Sequence, residues 1–330
     1  MTQLVGSRPV AEDLHVHRGE LTGYCYRMLG SVHDAEDAVQ ETLVRAWRSL
    51  DGFEGRSSVR SWLYRIATNV CLDAIGSRSR RATPLEIGGP SAPVVASLGD
   101  VRAHEEWLEP MPWRGAQPPT SDPAELAAER ESVRLAFVAA LQHLPARQRA
   151  VLILRDVLRF SAEETAELLG STVASANSAL QRARGTLSGH HADPRPLDPL
   201  DAEHEALLER YVDAFERYDI TAFVALLHED ATQSMPPYAL WLQGAEDLGA
   251  WMLGPGHGCR GSRLLPVPGA NGCPAFGQYR PAADGDGHGH EPWALHVLEV
   301  SGGRISSITS FLDTRLFARF GLPDRLPATG

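Results

Sequence analysis

"SAEETAELLGSTVASANSALQRAR" occupies Ser161–Arg184, and its spacing predicts a helix, a tight turn and a second helix. Ser161 and Glu164 stand at capping-box spacing. Gly170 supplies a left-handed position that ends the first helix near Leu169, and Thr172 can cap the second. In that second helix Val173, Ala176, Leu180, Ala183 and Leu187 recur at steps of three and four and predict a buried stripe. The opposite face starts at Thr172 and carries Ser175, Asn177, Ser178, Gln181, Arg182 and Arg184, with no carboxylate among them. A helix that enters the major groove needs this combination, donors for base edges and arginines for phosphates. A helical hairpin with a solvated face is the plainer alternative.

The surrounding residues, 124–188, continue in helical spacing, so this block reads as all-α. A second helical block covers 11–82. There Tyr24, Met28, Leu29, Val32, Ala35, Ala38, Val39, Leu43 and Trp47 fall close to one helical stripe, with Asp34 as a candidate N-cap and Asp37 three residues on. "SWLYRIATNVCLDAIGSRSRR", Ser61–Arg81, has a core stripe of Leu63, Ile66, Ala67, Val70, Cys71 and Ala74. Trp62, Arg65 and Asn69 lie on another stripe, and the tail adds Arg78, Arg80 and Arg81. An indole platform beside guanidinium groups suits single-stranded nucleic acid. The plainer reading buries Trp62 in part and leaves the arginines solvated.

The chain of 330 residues has a formal net charge of −11, and all 31 of its basic residues are arginine. A self-sufficient DNA binder is usually basic, because phosphate neutralisation supplies most of its affinity. An acidic chain with local arginine faces is expected to bind DNA poorly alone. No apolar run reaches the length of a membrane span and no signal core opens the chain, so no membrane contact and a cytoplasmic location are expected. Four cysteines form no C-x-x-C pair.

Residues 83–123 are rich in Pro, Gly and Ala and read as a linker. Its "EEWLEPMPW" is the exception: Trp107, Leu108, Pro110 and Trp113 mark a docking segment, because free linkers seldom carry tryptophan. Residues 189–202 read as a second linker. Residues 203–322 change to two helices followed by strand-like pieces with hairpin signals at Asn271-Gly272 and Gly302-Gly303, which predicts an α+β domain with an antiparallel meander. Asp213, His228, Asp230, His296 and Asp313 are its candidate acid–base groups, but they match no set diagnostic of one reaction. His257, Cys259, Cys273, His288 and His290 match no standard zinc spacing. No catalysis, metal or cofactor is expected.

Residues 15–187 resemble a sigma-70-type RNA polymerase sigma factor of the extracytoplasmic-function (ECF) group, because several motifs occur in the right order. "DAEDAVQETLVRAWR" resembles the helix that binds the polymerase clamp, which implies that Asp34, Asp37, Gln40, Glu41 and Arg45 face the beta-prime clamp of bacterial core RNA polymerase. "SWLYRIATNVCLDA" resembles the −10 and melting helix. It implies promoter contacts from Phe53, Ser58, Arg60, Trp62, Arg65, Asn69, Arg78, Arg80 and Arg81, with an unstacked base held in "DGFEGRSS". "LPARQRAVLILRDVLRFSAEETAELLG" with "TVASANSALQRARGTL" resembles the sigma-4 domain, which implies −35 recognition and a beta-flap contact. The sequence departs from many ECF recognition helices in having Asn177 and Ala179 where those are basic. Residues 203–322 resemble the cone-shaped SnoaL-like fold, and such a fusion implies an intramolecular contact through which the extra domain regulates the sigma part. The chain is therefore expected to be an alternative sigma factor, two all-α domains plus an α+β cone. An autonomous helix-turn-helix regulator and a SnoaL-like isomerase or cyclase with helical appendages are the alternatives.

Overall fold

The computed structural model describes residues 14–53, 55, 57–76, 80–113, 123–190, 195–282 and 289–327. These fall into two compact units. One takes 14–81, 108–111 and 123–190, and the other takes 82–107, 112–113 and 195–327.

The first unit is helical. Three helices, α1 (Arg18–Leu29), α2 (Val32–Ser49) and α3 (Val59–Ile75), pack around Leu21, Tyr24, Met28, Val39, Leu63, Tyr64 and Ala67. Gly30 ends α1 at φ 70°, where a residue with a Cβ would be strained. The expected N-cap at Asp34 is displaced to Ser31, whose Oγ accepts the Asp34 N–H at 3.1 Å. Both residue types cap well, and Ser31 is the one with extended backbone at the helix start. Trp47 leaves the predicted stripe and is 64% exposed.

Among the described residues this unit has five more α-helices: α4 (Pro123–Val133), α5 (Leu135–Gln142), α6 (Ala146–Leu152), which runs on into a π-helical turn over Ile153–Val157, α7 (Ala162–Leu168) and α8 (Val173–His190). They meet α1 through its C-terminal carbonyls, which the helix itself cannot satisfy. Arg149 donates to the Met28 carbonyl, to Gln142 Oε1 (2.7 Å) and to the carbonyls of Gln142 (3.1 Å) and Leu144 (3.2 Å). Arg27 donates to the Ser132 carbonyl (2.9 Å) and Oγ (2.7 Å). Burial pulls both guanidinium groups down to about 10, so both stay cationic at neutral pH.

The second unit is a six-stranded sheet in the order β2-β1-β6-β5-β4-β3, with helices α9 (Ala202–Glu216), α10 (Ile220–Ala225), α11 (Ala245–Leu253) and the short α12 (Leu316–Arg319). Its strands are β1 (Leu227–Ser234), β2 (Trp241–Gln243), β3 (Arg263–Ala270), β4 (Cys273–Pro281), β5 (His290–Ser301) and β6 (Arg304–Phe311). β3 to β6 form the expected antiparallel meander. Asn271 and Gly272 turn at φ 52° and 73°, and Gly302 and Gly303 at 62° and 70°. The sheet is nevertheless mixed, because β1 pairs with β6 in parallel. Two helices precede the strands, as expected, but α11 is inserted between β2 and β3.

The Pro- and Gly-rich stretch belongs to this unit over 82–107. Trp241 Nε1 donates to the Gly88 carbonyl (2.8 Å), and the Arg102 N–H donates to Pro237 (3.1 Å). Trp113 N–H donates to the Gly269 carbonyl at 3.1 Å. Inside the unit, Tyr211 O–H donates to His296 Nδ1 (2.8 Å), and His296 Nε2–H donates to Gln278 Oε1 (3.0 Å). Gln278 in turn donates to Ser262 Oγ (2.9 Å). Burial pushes His296 down to about 4.

Two outcomes are expected. Arg149→Met leaves buried carbonyls unmatched and costs about 1.5–3 kcal/mol, the worth of hydrogen bonds to a charged group, read as a lower denaturant midpoint for the helical unit. His296 is neutral in the folded state but free to protonate when unfolded. Its contribution is complete above pH ~6.5 and is lost as pH falls toward about 4, by about 3 kcal/mol in all. His296→Gln should flatten the stability profile across that window, as measured by thermal melts from pH 4 to 7.

Candidate nucleic-acid interface

α8 is set by local sequence. The Ser161–Glu164 capping box is formed in both directions (2.7 and 3.1 Å), and Gly170 turns at φ 58°. Thr172 Oγ1 accepts the Ser175 N–H at 3.2 Å and so starts α8. Ala176, Leu180, Ala183 and Leu187 are buried and Val173 is half-buried. Thr172, Ser175, Asn177, Ser178, Gln181, Arg182 and Arg184 are all exposed. Arg184 already holds Asp156 in a two-pronged pair (2.9 and 2.6 Å), which turns its charge toward the protein. The remaining polar face is one of short donors and a single outward guanidinium, Arg182.

The melting-helix candidates are less open. Ser58 accepts the Ser61 N–H (3.0 Å) and caps α3. Arg65 and Asn69 are exposed on α3. Trp62 is buried, its ring 4.9 Å from that of half-buried Phe53. Arg60 donates to Glu20 (2.8 Å) and lies between two rings, 5.0 Å from the centre of Tyr64 and 4.6 Å from that of Phe160. Burial alone would raise the Glu20 carboxyl, but its hydrogen bonds to Arg60 and His17 hold it below the usual range. Arg80 donates to the His143 ring (2.8 Å), and Arg81 is buried against Asp34 (2.8 Å). Arg78 lies outside the described residues. Ser58, Ser61, Trp62 and Arg65 share a cleft of about 190 Å³ with Glu164, Glu167 and Leu168. The carboxylates of α7 thus line the same cleft as Arg65 of α3.

On α2, Asp37, Gln40, Glu41 and Arg45 are exposed, and Glu41 and Arg45 pair at 2.7 Å. Asp34 is turned inward to Arg81. Gln40 also lines a groove of about 370 Å³ with Leu14, Arg18, Leu43, Val44 and Trp47. Trp47 is the residue that stripe counting assigned to the core. Its position three and four residues beyond Val44 and Leu43, next to the charged face, was the available signal.

Of the docking candidates, Leu108 and Pro110 belong to the helical unit and Trp107 and Trp113 to the other. The acid–base candidates have separate partners. Asp213 faces Arg217 (3.3 Å), and His228 faces Asp230 (2.6 Å), which also meets Arg195 (2.5 Å). Asp313 holds Arg315 (2.8 Å) and lies 3.6 Å from His104. His296 bonds Tyr211 and Gln278 rather than any of these carboxylates. Among the metal-ligand candidates, Cys259 accepts from Arg280 (3.3 Å), His257 Nδ1 lies 3.2 Å from the Gly254 carbonyl and His290 donates to the Gly261 carbonyl (2.9 Å). Cys273 is buried, and His288 lies outside the described residues. Among the described residues, no helix is long and apolar enough to cross a membrane.

Residues 14–81 match Sigma-70 region 2, and residues 134–187 match Sigma-70, region 4. The ECF RNA polymerase sigma factor SigG of Mycobacterium tuberculosis is 48% identical over 316 residues, which is 94% of this chain and 83% of that protein. The ECF RNA polymerase sigma factor SigJ of the same organism is 29% identical over 219 residues, 65% of this chain and 61% of that one. The crystal structure of Mycobacterium tuberculosis SigJ shares the fold, with a TM-score of 0.58 and 22% identity over 96% of this chain and 100% of that one. With its helix-turn-helix, its arginine-bearing α3 and an added α+β unit, this chain belongs to the ECF RNA polymerase sigma factor family and is an alternative sigma factor.

Proposed function

We propose that α8 reads the −35 element through Thr172, Ser175, Asn177, Ser178, Gln181 and Arg182, that α3 with Phe53 captures and melts −10, and that α2 docks on the polymerase clamp. The observation that carries the −35 assignment is the exposed, carboxylate-free face of α8 with Arg182 directed outward. The clamp assignment rests on the exposed row Asp37, Gln40, Glu41 and Arg45 beside Trp47, an apolar surface that a partner would cover. The −10 assignment requires a rearrangement. Trp62 is covered by Phe53, and Arg60 is held by Glu20, Tyr64 and Phe160. Core polymerase, and not the free chain, would supply the conformation in which these groups meet DNA. The beta flap is the proposed partner of the helix-turn-helix block, and the cytoplasm the proposed location.

The α+β unit is assigned a regulatory rather than a catalytic role, through an intramolecular contact with the sigma part. Acid–base catalysis near neutrality needs a group whose pKa lies near the working pH. His296, pushed down to about 4 and bonded on both ring nitrogens, is a neutral structural group. A regulator of this kind acts only by favouring one arrangement of the sigma part over another.

The free chain should bind promoter duplex weakly in a gel shift, and tight, sequence-specific binding without polymerase would favour the autonomous regulator. Arg182→Ala should lower promoter-dependent transcription about tenfold, the scale of one lost contact of about 1–3 kcal/mol. Asn69→Ala should spare promoter binding but impair opening, read by permanganate footprinting at −10. Truncation after His190 should change transcription at limiting core polymerase, and unchanged activity at every polymerase concentration would remove the regulatory role.

A further inference from the structure

Asp156 lies where the chain after α6 leaves α-helical register. Its turn, Ile153–Val157, is π-helical and closes with the Leu158 N–H donating to the Ile153 carbonyl at 2.9 Å. Arg159 follows at φ 59°, a left-handed value that crowds a residue with a Cβ. Departures of both kinds concentrate at functional positions. Arg155, next to Asp156, is spent on the turn itself and donates to the Phe160 carbonyl (2.6 Å). Asp156 instead reaches α8.

There it meets Arg184 squarely. Arg184 Nε donates to Asp156 Oδ2 (2.9 Å) and Nη2 to Oδ1 (2.6 Å). This is the same two-pronged fork with which a guanidinium takes two phosphate oxygens. Asp156 therefore offers Arg184 what a DNA backbone would offer it. The pair is also open to water, with side-chain exposures of 59% for Arg184 and 31% for Asp156. Pairs so exposed hold weakly and exchange partners at little cost.

Arg184 stands one turn beyond Gln181 and two beyond Asn177, at helical steps of three and four, and all three are exposed. Asn177 and Gln181 are uncharged, so the charge on that flank of α8 is the one Asp156 holds.

We propose that Asp156 stands in for a DNA phosphate: in the free chain it holds Arg184, and when α8 docks at the −35 element Arg184 exchanges it for a backbone phosphate beside the bases that α8 reads. The proposal rests on reading α8 as the −35 helix, and it returns Arg184 to that surface by exchange. Asp156 acts only through Arg184, and it sets the strength of a contact that positions the helix without reading sequence.

The test uses the full chain assembled with purified core polymerase. The probe is a labelled duplex that carries the −35 element and ends before −10, titrated by fluorescence anisotropy over a series of salt concentrations. Asp156→Asn should bind about two- to fivefold tighter, the range set by the exposed ion pair it removes, with the salt slope of wild type. Arg184→Gln should bind more weakly, with a slope shallower by about 0.9, the signature of one lost phosphate contact. The double variant should bind as Arg184→Gln alone does. Thermal melts identify any variant that fails to fold, and Asp156→Ser or Arg184→Met then takes its place. Weaker or unchanged binding by Asp156→Asn would make the pair a brace for α8 and overturn the proposal. An unchanged slope in Arg184→Gln, with Arg182→Ala still weakening binding, would overturn the exchange and leave the −35 reading standing. Wild-type binding and slope in both arginine variants would overturn the −35 reading, and the exchange with it.

Discussion

The helical unit depends on how one helix end is satisfied. The last carbonyls of α1 have no partner within the helix, and the chain turns away at Gly30. Arg149 and Gln142, more than a hundred residues further on, reach back to the carbonyls of Met28 and Arg27. A buried guanidinium is costly, and burial lowers its pKa accordingly. The negative end of the α1 dipole and the carbonyls around it offset that cost. An apolar residue at 149 would avoid the desolvation but leave those carbonyls unmatched. The second helical block is therefore held to the first by directed bonds and not only by apolar area.

That attachment has a functional consequence within the same unit. It brings Phe160 against Tyr64 at 5.2 Å and places Arg60 between the two rings. It also sets Glu164 and Glu167 in the cleft lined by Arg65. Arg65 is thereby partly faced by the protein's own carboxylates. The acidic balance of the chain then has a structural meaning: the arginines are present but several are engaged. Asp34, Glu20 and Asp156 hold Arg81, Arg60 and Arg184. Each such pair must break before its guanidinium can meet another anion.

What the sequence made legible follows the range of the interactions. α8 was readable because its caps, its turn glycine and its apolar stripe all lie within about thirty residues and agree with one another. The two hairpins were readable because Asn-Gly and Gly-Gly carry their own backbone preference. The parallel pairing of β1 with β6 was not, since it joins strands about seventy-five residues apart in sequence and no local pattern encodes it. Ser31 and Asp34 are both good caps and stand at the spacing where either can serve, so only backbone geometry decides between them. Trp62 was placed on an open face because helical spacing reports direction but not what the preceding loop lays over it. Phe53 does so here. Glu109 carried no signal at all. It is one carboxylate in a proline-rich stretch, and its donors, Ser31 Oγ (2.7 Å) and His33 Nδ1 (2.8 Å), are supplied by the α1–α2 turn.

The α+β unit shows the same logic applied to an interior. Tyr211, Phe215, Phe223 and Phe276 stand ring beside ring with centroids 5.8–6.4 Å apart, and His296 meets the edge of Phe215 at 5.3 Å. A charged imidazole there would have to leave water and would also lose its role as acceptor for Tyr211, so the folded state selects the neutral form. Selecting it fixes the direction of every hydrogen bond from Tyr211 to Ser262. A polar chain of this kind resists loosening, because one broken member leaves a buried group unsatisfied.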